Sequence, residues 1–182
     1  MKKLEFAVPE SVRPEEIRRI RKMLGLTQKD FAELTRTSKA TVERWEAGRQ
    51  NISGPVVLLL KMLEKDPEYV EQLKIPEKKL PLRLKYMYRD TLCTIIDVDE
   101  MNRKVEIKNF TDNSMFRAFG NNPSPSFEDY TEFLESRCFP PTRDKMKLVL
   151  QDLDLPFYDP FLIIQKTKGK MTEDDFRIDI ER

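Results

Sequence analysis

The chain has 182 residues, a hydrophobic fraction of 39%, and 33 Lys and Arg against 32 Asp and Glu, for a formal net charge of +1. That length holds one large domain or two small ones, with enough apolar residues for globular cores. No apolar run approaches the ~20 residues that span a bilayer, and no signal peptide precedes the first elements, so a cytoplasmic protein without membrane contact is expected. With no histidine and two cysteines far apart, Cys93 and Cys138, no metal site is expected; the thiols should be free and packed in a reducing compartment.

In chain order, Leu4, Phe6 and Val8 alternate like a short strand that joins a sheet in its own chain or in a dimer mate. The run from Pro14 to Leu24 then reads as an amphipathic helix. Proline suits its first turn, Glu15 and Glu16 lie early, Arg21 and Lys22 lie late, and Ile17, Ile20 and Leu24 form one stripe before Gly25.

Thr27 and Ser38 each stand directly before a helical pattern, where a hydroxyl can accept from an orphan first-turn N–H. In the first of these two short helices Phe31 and Leu34 face a core, and Ala32 lets a neighbouring helix approach. In the second, Val42 and Trp45 point inward and leave Lys39, Ala40, Glu43 and Arg44 outward. A short polar helix of this kind fits the major groove of DNA. There Arg or Lys can bond guanine O6 and N7, and a small apolar residue can meet a thymine methyl. Arg44 is the strongest candidate because Val42 and Trp45 fix its phase. Arg18, Lys22 and Lys61 read as charges that solvate helices.

Ser53-Gly54-Pro55 opens a strongly apolar helix through Val56, Val57, Leu58, Leu59, Leu60, Met62 and Leu63. Asp66-Pro67 caps a shorter one with Tyr69, Val70 and Leu73. This apolar face is too broad for one bundle surface, so part of it is expected to cover a second subunit. The charged, proline-bounded link from Ile75 to Pro81 divides the chain into domains 1–79 and 80–182. The first carries 17 Lys and Arg against 13 Asp and Glu, net +4, and the second 16 against 19, net −3. A basic excess on the helical half suits a module that neutralises phosphate, and its small size implies a dimer or a partner.

Beyond the link the texture is mixed. Thr91–Val98 and Lys104–Lys108 read as a hairpin around Asp99–Arg103. Ser126 caps a helix through Phe127, Tyr130, Phe133 and Leu134. A second helix is expected from Thr142 through Met146, Val149 and Leu150, and a third from Asp159-Pro160 through Ile163 and Ile164 to Gly169. The acid pairs Asp97/Asp99 and Asp174/Asp175 read as solvated turns. With no glycine-rich phosphate loop and no activated nucleophile, neither an enzyme nor a cofactor is expected.

Residues from about Arg13 to about Leu73 resemble the helix-turn-helix domain of the lambda-repressor/Xre superfamily, most closely the MqsA and HigA type of antitoxin. The match rests on Glu16-Ile17-Arg18, Leu24-Gly25-Leu26-Thr27-Gln28, Phe31-Ala32, Thr41-Val42-Glu43-Arg44-Trp45-Glu46-Ala47-Gly48 and Ser53-Gly54-Pro55. The resemblance implies that Gln28 binds phosphate and that Lys39, Ala40 and Arg44 read bases. Thr27, Lys29, Ser38, Thr41, Glu43 and Arg49 complete the expected DNA-binding set. Two departures stand out: the turn Thr35-Arg36-Thr37 carries an arginine where φ is often positive, and the paired cysteines of MqsA's zinc-binding half are absent. In the C-terminal half, Ser136–Arg143, Leu153–Pro156 and Met171–Phe176 are similar to a small domain that accompanies HipA-like kinases. That likeness implies a partner-binding role, with Arg137, Phe139 and Arg143 as candidate contacts.

The expected fold is α+β: an all-α, five-helix helix-turn-helix domain with a short N-terminal strand, joined to a mixed α/β-hairpin domain that binds a partner or senses a ligand. The expected function is a sequence-specific repressor, the antitoxin and autoregulator of a toxin–antitoxin operon. It would act as a homodimer on palindromic double-stranded DNA, with a toxin or kinase-like protein as its partner. The alternative is a dimerisation or docking module, or a ligand-sensing phage- or plasmid-type regulator without a toxin. An inverted repeat upstream of the gene, with half-sites about one helical turn apart, distinguishes an autorepressor from a docking module.

Overall fold

Thr27 accepts from the Asp30 backbone N–H at 3.2 Å while Asp30 accepts from the Thr27 N–H at 3.1 Å, so a reciprocal capping box starts the second helix. Ser38 starts the third by accepting from the Thr41 N–H at 3.0 Å. These local bonds set the frame of a computed structural model that describes residues 4–181. Residues 1–3 and 182 of the two expected domains lie outside the described residues. Packing divides the chain into one unit up to Ile75 and a second from Pro76 onward.

The first unit consists of β1 (Ser11–Val12), α1 (Pro14–Met23), α2 (Gln28–Leu34), α3 (Lys39–Ala47), β2 (Ile52–Ser53), α4 (Pro55–Lys65) and α5 (Pro67–Leu73). Its core joins Ile17 and Ile20 of α1, Phe31 and Ala32 of α2, Val42 of α3, and Val57, Leu60 and Leu63 of α4. Trp45 packs half-buried against that core. The strand expected at Leu4–Val8 does not form within the chain. Leu4 and Phe6 are about four-fifths exposed, and the pairing instead joins Ser11 to Ser53 and Val12 to Ile52. Strands need backbone partners. Pro9 offers no N–H, and the facing segment is only two residues long.

The turn between α2 and α3 closes without added length. Thr37 N–H donates to the Ala32 carbonyl at 2.9 Å, and Arg36 occupies the left-handed region at φ 52°. The Thr35 hydroxyl donates to the Phe31 carbonyl at 2.7 Å and tightens the end of α2. A left-handed residue with a Cβ costs about 1–2 kcal/mol, and glycine's larger unfolded-state entropy offsets part of any relief. Arg36→Gly is therefore expected to stabilise the chain by about 0.5–1 kcal/mol. Urea denaturation measures this, and a loss of stability would contradict the account.

The second unit is a four-stranded antiparallel sheet in the order β5-β4-β3-β6: β3 (Leu82–Tyr88), β4 (Thr91–Asp99), β5 (Lys104–Asn109) and β6 (Phe176–Glu181). The expected hairpin is β4–β5, with Asp99 opposite Lys104. It is only half of the sheet. Leu82, Leu84 and Tyr86 of β3 turn to the face shared with Ile96, Val98 and Ile178. Over that face lie α6 (Phe127–Ser136), through Tyr130, Phe133 and Leu134, and α8 (Pro160–Thr167), through Ile163 and Ile164. Between them, α7 (Met146–Asp152) starts four residues later than expected and buries none of its residues. Thr142 lies in a turn after Pro140-Pro141, where the chain has no helical pairing, and Lys145 enters the helix from a left-handed conformation at φ 58°. Among the described residues no helix is long and apolar enough to cross a membrane.

The acid pairs are not merely solvated turns. Asp97 is buried and receives Arg83 in a fork, Nε to Oδ1 and Nη2 to Oδ2, both at 2.6 Å. Arg83 also donates to the Pro76 carbonyl at 2.8 Å, which ties the start of the unit to its sheet. Asp174 receives Arg137 at 2.6 and 3.0 Å. Asp99 caps the hairpin turn from Asn102, and Asp175 meets Arg89 at 2.7 Å on the surface.

Candidate nucleic-acid interface

The surface of α3 is organised by a carboxylate beneath it. Val42 and Glu46 are four residues apart, hence on one helical face, and both are buried, at 0% and 4% exposure. Arg21 of α1 grips Glu46 with two prongs, Nε to Oε1 at 2.6 Å and Nη2 to Oε2 at 3.0 Å, and its Nη1 donates to the Leu26 carbonyl at 2.7 Å. Gln28 of α2 donates from Nε2 to Glu46 Oε2 at 2.9 Å. Arg18 donates to the Glu46 carbonyl at 2.7 Å, near the C-terminal end of α3. Three helices thus meet on one side chain. Burial pushes the Glu46 carboxyl up, but the Arg21 fork, the Gln28 amide and the Arg18 charge outweigh it and hold it below the ordinary carboxylate value.

The expected DNA-binding residues separate into three groups on this frame. Lys29, Lys39, Ala40, Glu43, Arg44 and Arg49 are exposed. Lys39 Nζ lies 3.0 Å from Glu43 Oε1 across one turn, so these two charges are partly neutralised. The Arg44 guanidinium has no ion pair or side-chain hydrogen bond among the described residues. A second group is occupied with holding helix starts: Thr27 with Asp30, and Ser38 with Thr41, whose hydroxyls lie 2.8 Å apart. Gln28 stands alone as the third. Its amide nitrogen is engaged with Glu46, which ties α2 to α3. Arg18, expected only to solvate α1, likewise braces α3.

Glu46, Arg21 and Arg18 were not expected at this site. The spacing of Glu46 from Val42 carried the signal, since a charge on an inward stripe must find a buried partner.

The partner candidates of the second unit do not stand together as an exposed set. Arg137 is 7% exposed. It donates to the Gly169 carbonyl at 2.8 and 3.1 Å as well as to Asp174, and its guanidinium lies 5.8 Å from the Tyr86 ring and 5.7 Å from the Phe176 ring. Those contacts make it an internal brace, which corrects the expectation that it meets a partner. Arg143 is exposed and lies 5.5 Å over the half-buried Phe139 ring. Among the described residues no cluster of three or more His, Cys, Asp or Glu side chains is placed to hold a metal ion.

A capped helix pair, with the second helix presenting an unpaired arginine, gives the first unit the arrangement of a helix-turn-helix. Residues 17–65 match the helix-turn-helix family model. Over 63 residues the chain is 36% identical to Antitoxin HigA-2 of Vibrio cholerae serotype O1 (strain ATCC 39315 / El Tor Inaba N16961); the match covers 35% of this chain and 61% of that relative. It therefore spans less than two thirds of the curated protein's length.

Proposed function

We propose that the chain is a sequence-specific DNA-binding regulator of the antitoxin kind that reads its operator through α3. The observation that carries this reading is the unpaired Arg44 guanidinium on the outward face of a helix locked from below through Glu46. Such an arginine is available to bond guanine in the major groove, while exposed Lys29 and Arg49 are available for phosphate. The regulator acts in the cytoplasm as a homodimer on an inverted repeat, and it represses its own operon. Its second unit binds a toxin, a reading supported by the likeness of the first unit to an antitoxin. It works by binding rather than by catalysis.

Arg44→Ala is expected to lower operator affinity by about 1–3 kcal/mol at fixed salt and to relax discrimination at one base pair. Lys29→Ala should instead weaken binding evenly across sequences and reduce the salt slope by about one. Fluorescence anisotropy with the upstream inverted repeat and a scrambled duplex makes the comparison. Equal operator affinity for wild type and Arg44→Ala would remove the basis of this reading.

A further inference from the structure

The outward face of α3 carries two rows, each spaced i, i+4: Ala40 with Arg44, and Lys39 with Glu43. The second row is a closed pair. Lys39 Nζ lies 3.0 Å from Glu43 Oε1, and the two side chains are 59% and 46% exposed. Its order is the wrong one for helix stability. Lysine occupies the first helical residue, where the helix dipole favours an acid, and the acid follows four residues later, the weaker orientation for such a pair. An exposed pair contributes little to stability in any case. Toward DNA, a lysine with its full charge would attract phosphate more strongly than one half cancelled by an acid. Glu43 therefore adds almost nothing to the fold and subtracts from general affinity.

We propose that Lys39 and Glu43 form one reading element that selects a G·C pair, and that Glu43 sets its specificity. Lys39 donates to guanine O6 and N7 while Glu43 accepts from the N4 amine of the paired cytosine. The match lies in the order of groups along the base-pair edge. In the major groove G·C shows two acceptors and then a donor, whereas A·T shows a donor between two acceptors. An ammonium only donates and a carboxylate only accepts. Held 3.0 Å apart, they match guanine O6 and cytosine N4, which the base pair's own hydrogen bond sets roughly 2.9 Å apart. On A·T the carboxylate would reach adenine N6 with an acceptor on either side, and one ammonium cannot answer both. Charge adds a second discrimination. Phosphate repels a carboxylate, so Glu43 weakens binding at every register that does not offer it the amine.

The inference deepens the proposed function and rests on its reading that α3 enters the major groove. The full wild-type chain is used to enrich a site from a pool of randomised duplexes. That site, varied one base pair at a time, and a scrambled duplex are then bound at fixed salt by wild type, Glu43→Gln and Glu43→Ala. Circular dichroism melts establish that the variants are folded. Wild type is expected to require G·C at one position. There Glu43→Gln should lose about fivefold or more of the preference for G·C and gain on A·T, because a glutamine amide bonds adenine N6 and N7 together. Glu43→Ala should lose the same preference without the gain. Both variants should bind the scrambled duplex about twofold or more tighter, since a charge that phosphate repels is gone. A pool that yields no enriched site removes the DNA reading, and this inference with it. An enriched site whose base preferences are the same for wild type and both variants overturns the inference alone. So do variants that bind the scrambled duplex no tighter than wild type.

Discussion

Glu46→Ala is expected to destabilise the N-terminal unit by about 3–5 kcal/mol, because removing one partner of a buried ion pair strands the other in a largely buried site. Here the stranded groups are the Arg21 fork and the Gln28 amide. Glu46→Gln should cost less, since its amide oxygen still accepts one of those bonds. Operator affinity should fall in both variants, since α3 then loses its tie to α1 and α2. The charge also predicts a pH dependence. The folded carboxyl sits below its ordinary value of 4.5, so its stabilisation is complete above that value and is lost as pH falls through the folded one. Wild type should therefore lose stability on acidification more steeply than Glu46→Gln. Thermal melts of the full chain between neutral and acid pH measure both effects. Parallel pH profiles would show that Glu46 is not charged in the fold.

Asp97→Ala should cost the second unit a similar amount, about 3–5 kcal/mol, because it leaves a guanidinium that is 3% exposed without its fork partner. Replacing both partners by apolar groups is a different experiment. Arg83→Met/Asp97→Leu removes the two charges together and should recover most of the single-variant loss, short of about 1 kcal/mol for the released Pro76 carbonyl. A double-mutant cycle by urea denaturation reads the coupling, and strictly additive losses would count against a fork that acts as a unit. The pair acts structurally, fastening the residues after Ile75 to the sheet that follows.

What was legible from sequence depends on nearest neighbours. The Thr27–Asp30 box, the Ser38 and Ser126 caps and the proline starts of α1, α4 and α5 are contacts over one turn. They sit where hydroxyls, acids and prolines put them. The phase of α3 followed from Val42 and Trp45 for the same reason, and with it the exposure of Lys39, Ala40 and Arg44. The hairpin β4–β5 closes over a short turn, so it too was visible. Strand β3 alternates from Leu82 to Tyr86 and pairs with β4 across the two-residue turn Arg89-Asp90, but Arg89 takes the left-handed conformation there without the glycine or asparagine that marks such a turn, and its other partner, β6, is about ninety residues later.

Only the tertiary structure decided the fate of the charges. Arg83 and Arg137 look like solvated side chains when read by neighbours, while the spacing of Glu46 from Val42 marks it as inward without naming its partner, and each becomes buried with an ionic partner 14 to 37 residues away. Their chemistry is the same in either place. What changes is the cost of losing water, which is met only when a distant chain segment supplies a fork, a carboxylate or a carbonyl. Local sequence therefore determined which helix carries the exposed polar face proposed to read DNA. Long-range packing determined that Gln28 and Arg18 hold that helix and that Arg137 braces the second unit from within.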